Sequence, residues 1–502
     1  MDASKHGLER GAGILMPISA LPGPYGIGTL GKSAYDFADF AVKSGFRYWQ
    51  VLPVGPTSFG DSPYQSFSAF AGNPYYIDLD YLIEEGLLKK EEADEKEFGT
   101  DGEDIDYASI FHHRFEVLKL AFGRSSHKAT KEYKAFVKEN EFWLEDYSFY
   151  MAVKFHFGNH AWQEWDDDIR LRTPEAVEHY KEFLAQEIDF WKFCQFKFRE
   201  QWNKLKTYVN GLGLKFIGDI PLYVSMDSAD VWVHRELFEL DEDCEPIHIA
   251  GVPPDAFSDD GQRWGNPLYR WDVMESQDFC WWRERMKANA SLYDVIRIDH
   301  FIGIVNYWSI AADCPTAIDG EWKKGPGEKL MKAVAESIGD AGIIAEDLGV
   351  LTKPVKDLIA KLGYPGMKII EFGLDCKPDN DYLPHNYASS NIVAYIGTHD
   401  NETLAGFLKN CSGEQLEKIL DYFGASTLKE LPDKIIRSLL ACVADVAIVQ
   451  TQDLLGLDNT ARTNLPSTVG LNWRWRATKE QLAQIDTEYY RKLCWMYNRL
   501  PV

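Results

Sequence analysis

Short apolar runs recur along the chain, and most are closed by proline, glycine or an acid. Gly13-Ile14-Leu15-Met16 stops at Pro17, and Tyr48-Trp49-Gln50-Val51-Leu52 stops at Pro53. Between them, residues 33–44 place Phe37, Phe40 and Ala41 on one side of a helix. Strand, helix, strand is the unit that builds parallel sheets. Further strand-like runs fall at 214–217, at 295–298, at 342–345, at 367–372, at 391–396 and at 446–450. Helical patterns at 328–338, 354–362 and 433–443 lie between later runs. Eight strands separated by helices predict an α/β fold, a TIM (β/α)8 barrel. The stretch from about 75 to 210 is charged, aromatic and helical in pattern, clearest at 111–122, 130–142 and 175–208, and reads as a large insertion in a single catalytic barrel. Residues 255–271 read as a long loop rich in Gly, Pro and aromatic residues.

The polar positions inside the apolar runs change the picture. Arg297 and Asp299 interrupt Val295-Ile296-Arg297-Ile298-Asp299. Strand side chains alternate, so these two charges point the same way. A guanidinium beside a buried carboxyl favours its ionised form, as a nucleophile or electrostatic stabiliser requires. An internal salt bridge is the alternative for one such pair. The pattern recurs, however: acids also end the runs at Asp219, at Glu346-Asp347 and at His399-Asp400. In a TIM barrel, strand C-terminal ends carry the catalytic groups. Two facing carboxylates, one ionised and one protonated, can cleave a glycosidic bond. Glu346 follows apolar Ile343, Ile344 and Ala345 with no adjacent cation, so desolvation and nearby carboxylates predict a raised pKa. A divalent metal site is the rival reading of clustered acids, and the surrounding aromatic and amide groups favour sugar.

Composition narrows the partners. The chain has 502 residues and a formal net charge of −25, which argues against nucleic acid and anionic membranes. Sixteen Trp and 25 Tyr provide flat amphipathic surfaces that suit sugar rings. The loop 59–74, with Ser62, Tyr64 and Gln65, is dense in hydroxyl and aromatic groups and poor in charge, a candidate polyol-binding wall. The eight cysteines are scattered, with no CxxC pair, and read as reduced thiols. His156 and His160 have zinc spacing but lack a third ligand. The polar terminus carries no secretory signal, so a cytoplasmic protein is expected, or a plastid one after processing.

Seven motifs, in order, carry a resemblance. They are Gly60-Asp61-Ser62-Pro63-Tyr64-Gln65, Gly218-Asp219-Ile220-Pro221, Gly251-Val252-Pro253-Pro254-Asp255, Gly261-Gln262-Arg263-Trp264-Gly265-Asn266-Pro267, Arg297-Ile298-Asp299-His300-Phe301, Glu346-Asp347-Leu348-Gly349 and Thr398-His399-Asp400-Asn401. From about Gly13 to Arg476 the chain resembles the 4-α-glucanotransferases (amylomaltases, disproportionating enzymes) of glycoside hydrolase family 77. The resemblance implies transfer of α-1,4-glucan segments to glucan or glucose acceptors by retaining double displacement. It implies Asp299 as nucleophile, Glu346 as general acid/base, Asp400 as transition-state stabiliser and Arg297 as the group orienting Asp299. It implies Ser62, Tyr64, Asp219, Gln262, Trp264 and His399 as substrate contacts, with residues 225–275 covering the substrate. No cofactor, no metal and no C-terminal β-sandwich are implied. Ile302 departs from the Arg that many members carry there, which would alter acceptor binding or loop packing. An amylase-type hydrolase and a non-catalytic glucan-binding protein are the alternative functions.

Overall fold

The computed structural model describes residues 8–58, 60–99, 104–254, 258–349 and 351–501. Phe59, Asp255 and the polar terminus through Gly7 lie outside the described residues. Twelve strands are present among the described residues: β1 (Gly11–Leu15), β2 (Tyr48–Gln50), β3 (Lys215–Ile220), β4 (His248–Val252), β5 (Gln262–Pro267), β6 (Val295–Ile298), β7 (Asn306–Ala311), β8 (Gly320–Lys324), β9 (Gly342–Ala345), β10 (Gly366–Ile369), β11 (Ile392–Tyr395) and β12 (Val446–Gln450).

Eight of them form one parallel sheet in the order β10-β11-β12-β1-β2-β3-β6-β9. These are the eight runs read from the sequence. Each is buried on both faces or nearly so, which is why apolar runs rather than alternation mark them. The sheet curls until its outer strands meet. At that seam the Ala345 N–H donates to the Pro365 carbonyl (3.0 Å), and the Met367 N–H donates to Asp347 Oδ1 (2.7 Å). The Asp347 carboxylate thus replaces a backbone carbonyl in closing the barrel. Gly366 leaves it room, since a Cβ there would lie 2.4 Å from Asp347 Oδ2.

The period of two organises the interior. Leu15, Tyr48, Ile217, Val295, Ile344, Met367, Tyr395 and Ile448 point inward and form one apolar cluster drawn from all eight strands. Burying each large aliphatic side chain of this layer contributes about 1.5–3 kcal/mol. Two residues further along, the inward positions become polar: Gln50 above Tyr48, Asp219 above Ile217, Arg297 above Val295, Glu346 above Ile344 and Gln450 above Ile448. One end of the barrel is therefore oily and the other charged.

At the opposite end, Arg499 is fully buried and donates to the carbonyls of Leu440, Gly11, Asp445, Cys442 and Ala444. Arg10 reinforces it on Ala444 O and Cys442 O. On the rim side, where β12 ends beside β1, the Thr451 hydroxyl donates to Leu15 O (2.9 Å) across 436 residues of chain.

Two sequence expectations need correction. Residues 255–271 are not a loop throughout. Gln262–Pro267 is β5, part of an antiparallel sheet ordered β5-β4-β7-β8. Its Gly and Pro content masked it, because Gly261, Gly265 and Pro267 read as turn and break any strand periodicity, although it pairs with the nearby β4. The helical stretch 175–208 is two helices, Pro174–Phe183 and Ala185–Gly211, which break at Leu184 (φ −101°, ψ 16°). A buried helix between them and β2, Leu144–His156, lacks a clear polar face and carried no pattern to read.

Candidate active site

The charged rim is built around Arg297. Its Nη1 donates to both Asp219 oxygens (2.8 and 2.7 Å), and its Nη2 lies 2.9 Å from Asp299 Oδ1. Burial works against the Arg297 charge, and Asp219 and Asp299 overcome it, raising its pKa further. The two carboxylates differ in access. The Asp219 side chain is sealed at 0% exposure, whereas that of Asp299 is 29% exposed. Tyr64 Oη donates to Asp219 Oδ2 (2.9 Å), so Asp219 is spent on Arg297 and Tyr64, and Asp299 is the accessible one of the two.

Glu346 follows β9 on the same rim. Its Oε2 accepts from the His300 N–H (2.8 Å) and its Oε1 from the Leu348 N–H (2.7 Å). Burial pushes its carboxyl up to about 8, and Asp299 adds to this against the pull of Arg297 and the Leu348 N–H. The sequence placed no cation beside Glu346; the fold brings the field of Arg297 to it from two strands' worth of sequence away, and burial still dominates. Near neutral pH this carboxyl holds its proton.

His300 adopts the left-handed conformation (φ 52°), which turns its N–H onto Glu346. Its ring meets Trp264 edge to face at 4.8 Å. Burial lowers its pKa to about 4, so the ring is neutral, and its buried Nε2 has no partner among the described residues. Trp264 Nε1 donates to Gln262 Oε1 (3.1 Å). Gln65 Nε2 donates to Trp264 O (3.3 Å) and ties this strand to the loop 60–66. Ser62 joins the site through that loop: its Oγ accepts from the Tyr64 N–H (3.2 Å). Ile302 is buried, with Gly349 at its tip.

The third acid sits on a turn. His399 stacks on Tyr64 (5.1 Å, 16°), with Trp473 5.9 Å from it, and is itself buried. Asp400 is 44% exposed, its Oδ1 3.4 Å from His399 Nε2. Two residues that the sequence did not single out grip it: Asn464 Nδ2 donates to Asp400 Oδ1 (2.6 Å), and Arg462 Nη2 to Asp400 O (2.6 Å). The Asn464 N–H also donates to His399 O (3.1 Å). Nothing local in residues 461–464 signals this, because the contact spans more than 60 positions. The fold thus assembles Tyr64, Asp219, Arg297, Asp299, Glu346, His399 and Asp400 in one rim, with Gln262 and Trp264 at its edge. Among the described residues no group of three or more His, Cys, Asp and Glu is set to hold a metal ion.

A (β/α)8 barrel whose C-terminal rim carries an open carboxylate on an arginine and a second carboxyl kept protonated by burial has the equipment of an enzyme acting on glycosidic bonds. Residues 16–482 match the family model described as 4-alpha-glucanotransferase. The chain belongs to that family. It is 48% identical to a 4-alpha-glucanotransferase of Clostridium butyricum over 92% of this chain and 95% of the relative, and 45% identical to one of Streptococcus pneumoniae over 98% of both. The solved amylomaltase of Streptococcus agalactiae in complex with acarbose superposes with a TM-score of 0.95 at 44% identity, covering 98% of this chain and all of that one.

Proposed function

We propose that the chain moves α-1,4-glucan segments from a donor to the 4-hydroxyl of an acceptor glucan or glucose by double displacement. Asp299 attacks the anomeric carbon while Glu346 gives its proton to the leaving glycosidic oxygen. A covalent glucan–Asp299 ester forms and a shortened glucan leaves. Glu346, now ionised, takes the proton of the incoming 4-hydroxyl, whose oxygen displaces Asp299 with net retention. Asp400 stabilises the positive charge that develops at the ring between these steps. Arg297 orients Asp299. Tyr64 and His399 line the donor sugar, Gln262 and Trp264 guide the acceptor, and Asp219, expected from the sequence as a substrate contact, is sealed and acts instead by holding Arg297 and Tyr64.

One observation carries this reading: Asp299 is the accessible carboxylate on Arg297, while Glu346 beside it is held protonated by burial. Transfer rather than hydrolysis needs an acceptor hydroxyl held better than water, and the Trp264–His300 contact supplies an apolar edge for it. Eight free thiols and an acidic chain support a cytosolic setting. Among the described residues no helix is long and apolar enough to cross a membrane.

The test is incubation with maltotriose alone, with products resolved by size. Glucose plus a ladder of longer maltooligosaccharides is expected. Glucose and maltose alone would mean hydrolysis, and unchanged maltotriose would leave only a binding role.

A further inference from the structure

Asp299 and Glu346 stand directly after barrel strands, but Asp400 stands on a turn five residues beyond Tyr395. A turn must be fixed by side chains. Arg462 and Asn464 hold it from one side. On the other side Asn401 folds back over the turn: its Oδ1 accepts from the Thr398 N–H (2.9 Å) and the Thr398 hydroxyl (3.1 Å). That amide is aimed by a further carboxyl of the rim, Glu371, whose Oε1 accepts from Asn401 Nδ2 (3.0 Å). Glu371 itself is anchored as the next rung after the β10–β11 pairing, with its N–H on Ile396 O (3.0 Å). The approach is close enough that Gly397 is required. A Cβ there would sit 2.9 Å from Asn401 Cβ and 3.3 Å from both Glu371 Oε2 and Gln450 Nε2.

We infer that Glu371 is a positioning residue for the stabilising carboxylate: it orients Asn401, which fixes Thr398 and thereby His399 and Asp400 against the donor sugar. The inference rests on reading Asp400 as the transition-state stabiliser. Glu371 acts as a hydrogen-bond acceptor, a role open to its carboxyl in either protonation state. Burial pushes the carboxyl up to about 7; the Asn401 bond opposes this, Glu402 and Asp453 add to it, and Arg462 opposes it. An acceptor role therefore survives across the neutral range where a role of charge would fade.

The test is a cycle of Glu371→Ala, Asn401→Ala and the double variant, with Glu371→Gln and Asp400→Asn alongside. Each is assayed for kcat and KM on maltotriose and for thermal unfolding. A misplaced stabiliser lowers kcat by about 100-fold with KM nearly unchanged. The double variant should lose no more than either single one, since both break one chain of contacts. Glu371→Gln keeps the acceptor oxygen and should hold kcat within about threefold of wild type. Losses that multiply to about 10⁴-fold in the double variant, or a Glu371→Gln as impaired as Glu371→Ala, overturn the inference. If Glu371→Ala does not fold, Asn401→Ala decides: wild-type kcat there overturns it too. Turnover by Asp400→Asn would bring down the reading of Asp400 and this inference with it. An inactive Asp400→Asn with multiplying losses would bring down the inference alone.

Discussion

Asp219 and Asp299 share one guanidinium through different nitrogens of Arg297, and one of the two carboxylates is sealed while the other is open to solvent. A point charge cannot hold both. Arg297→Lys keeps the cation and loses the fork, so one carboxylate must let go. We expect kcat to fall about 10²- to 10³-fold, with the fold retained by circular dichroism. Wild-type kcat in that variant would show that geometry at Asp299 is not set by Arg297.

Asp299 and Glu346 are separable by leaving group. Glu346→Gln should lose about 10²–10⁴-fold on maltotriose, where the leaving oxygen needs a proton. With α-glucosyl fluoride as donor no proton is needed, so the first step should return and a covalent glucosyl–enzyme should accumulate, visible by intact mass. Asp299→Asn should stay inactive on both donors and form no adduct.

The raised carboxyl of Glu346 sets the alkaline limb of the pH profile. Donor attack needs it protonated, so kcat/KM should fall as pH rises through about 8. Glu346→Gln should lack that limb. Stability follows the same sign. Glu346 (about 8), Glu371 (about 7) and Asp453 (about 7) bind protons more tightly folded than unfolded. The native state then holds the extra protons, so the unfolding temperature should decline between about pH 5 and 8. A rise across that window would contradict the burial of these groups.

Trp264 packs edge-on against His300, and in the proposed mechanism the acceptor arrives on that side. Trp264→Ala should open that edge to water. We expect the ratio of transfer to hydrolysis on maltotriose to drop about 10-fold, with cleavage of the donor less affected. An unchanged ratio would place the acceptor elsewhere.

Arg499 serves five carbonyls at the base of the barrel, far from any acid of the rim. Arg499→Met fills the space but removes the donor common to all five carbonyls, of which Ala444 O and Cys442 O keep Arg10 and Asp445 O keeps the Gly11 N–H, at a cost of about 2–4 kcal/mol in unfolding free energy. Turnover per folded molecule should not change.

The barrel was legible because its signal is local. Val295 to Ile298 and Val446 to Gln450 are buried on both faces, and burial on both faces writes itself as a run of apolar residues. Arg297 and Asp299 stood out for the same reason, as charges inside such a run. β5 did not, because Gly261, Gly265 and Pro267 read as loop and hide its pairing with β4. Asn464, Arg462 and Glu371 were equally silent. Asn464 and Arg462 are ordinary polar residues in a polar stretch, Glu371 is a lone acid near the end of the apolar run 367–372, and only the fold brings them beneath His399 and Asp400. Asp347 shows the mixed case: its neighbour Glu346 drew attention to the pair, but its place in the β9–β10 seam depends on Met367.

The Thr451–Leu15 bond spans 436 residues, and it lies where β12 closes against β1. At about 5–20 residues per second, a ribosome needs roughly 20 to 90 seconds to deliver the second partner after the first. Through that interval β1, apolar on both faces, has a neighbour in β2 on one side and an open edge on the other. An open apolar edge is the feature through which nascent chains stick to one another. For this protein the hazardous part of life is therefore its synthesis, and its yield in a cell should depend more on what shields that edge during translation than on how stable the closed ring becomes afterwards.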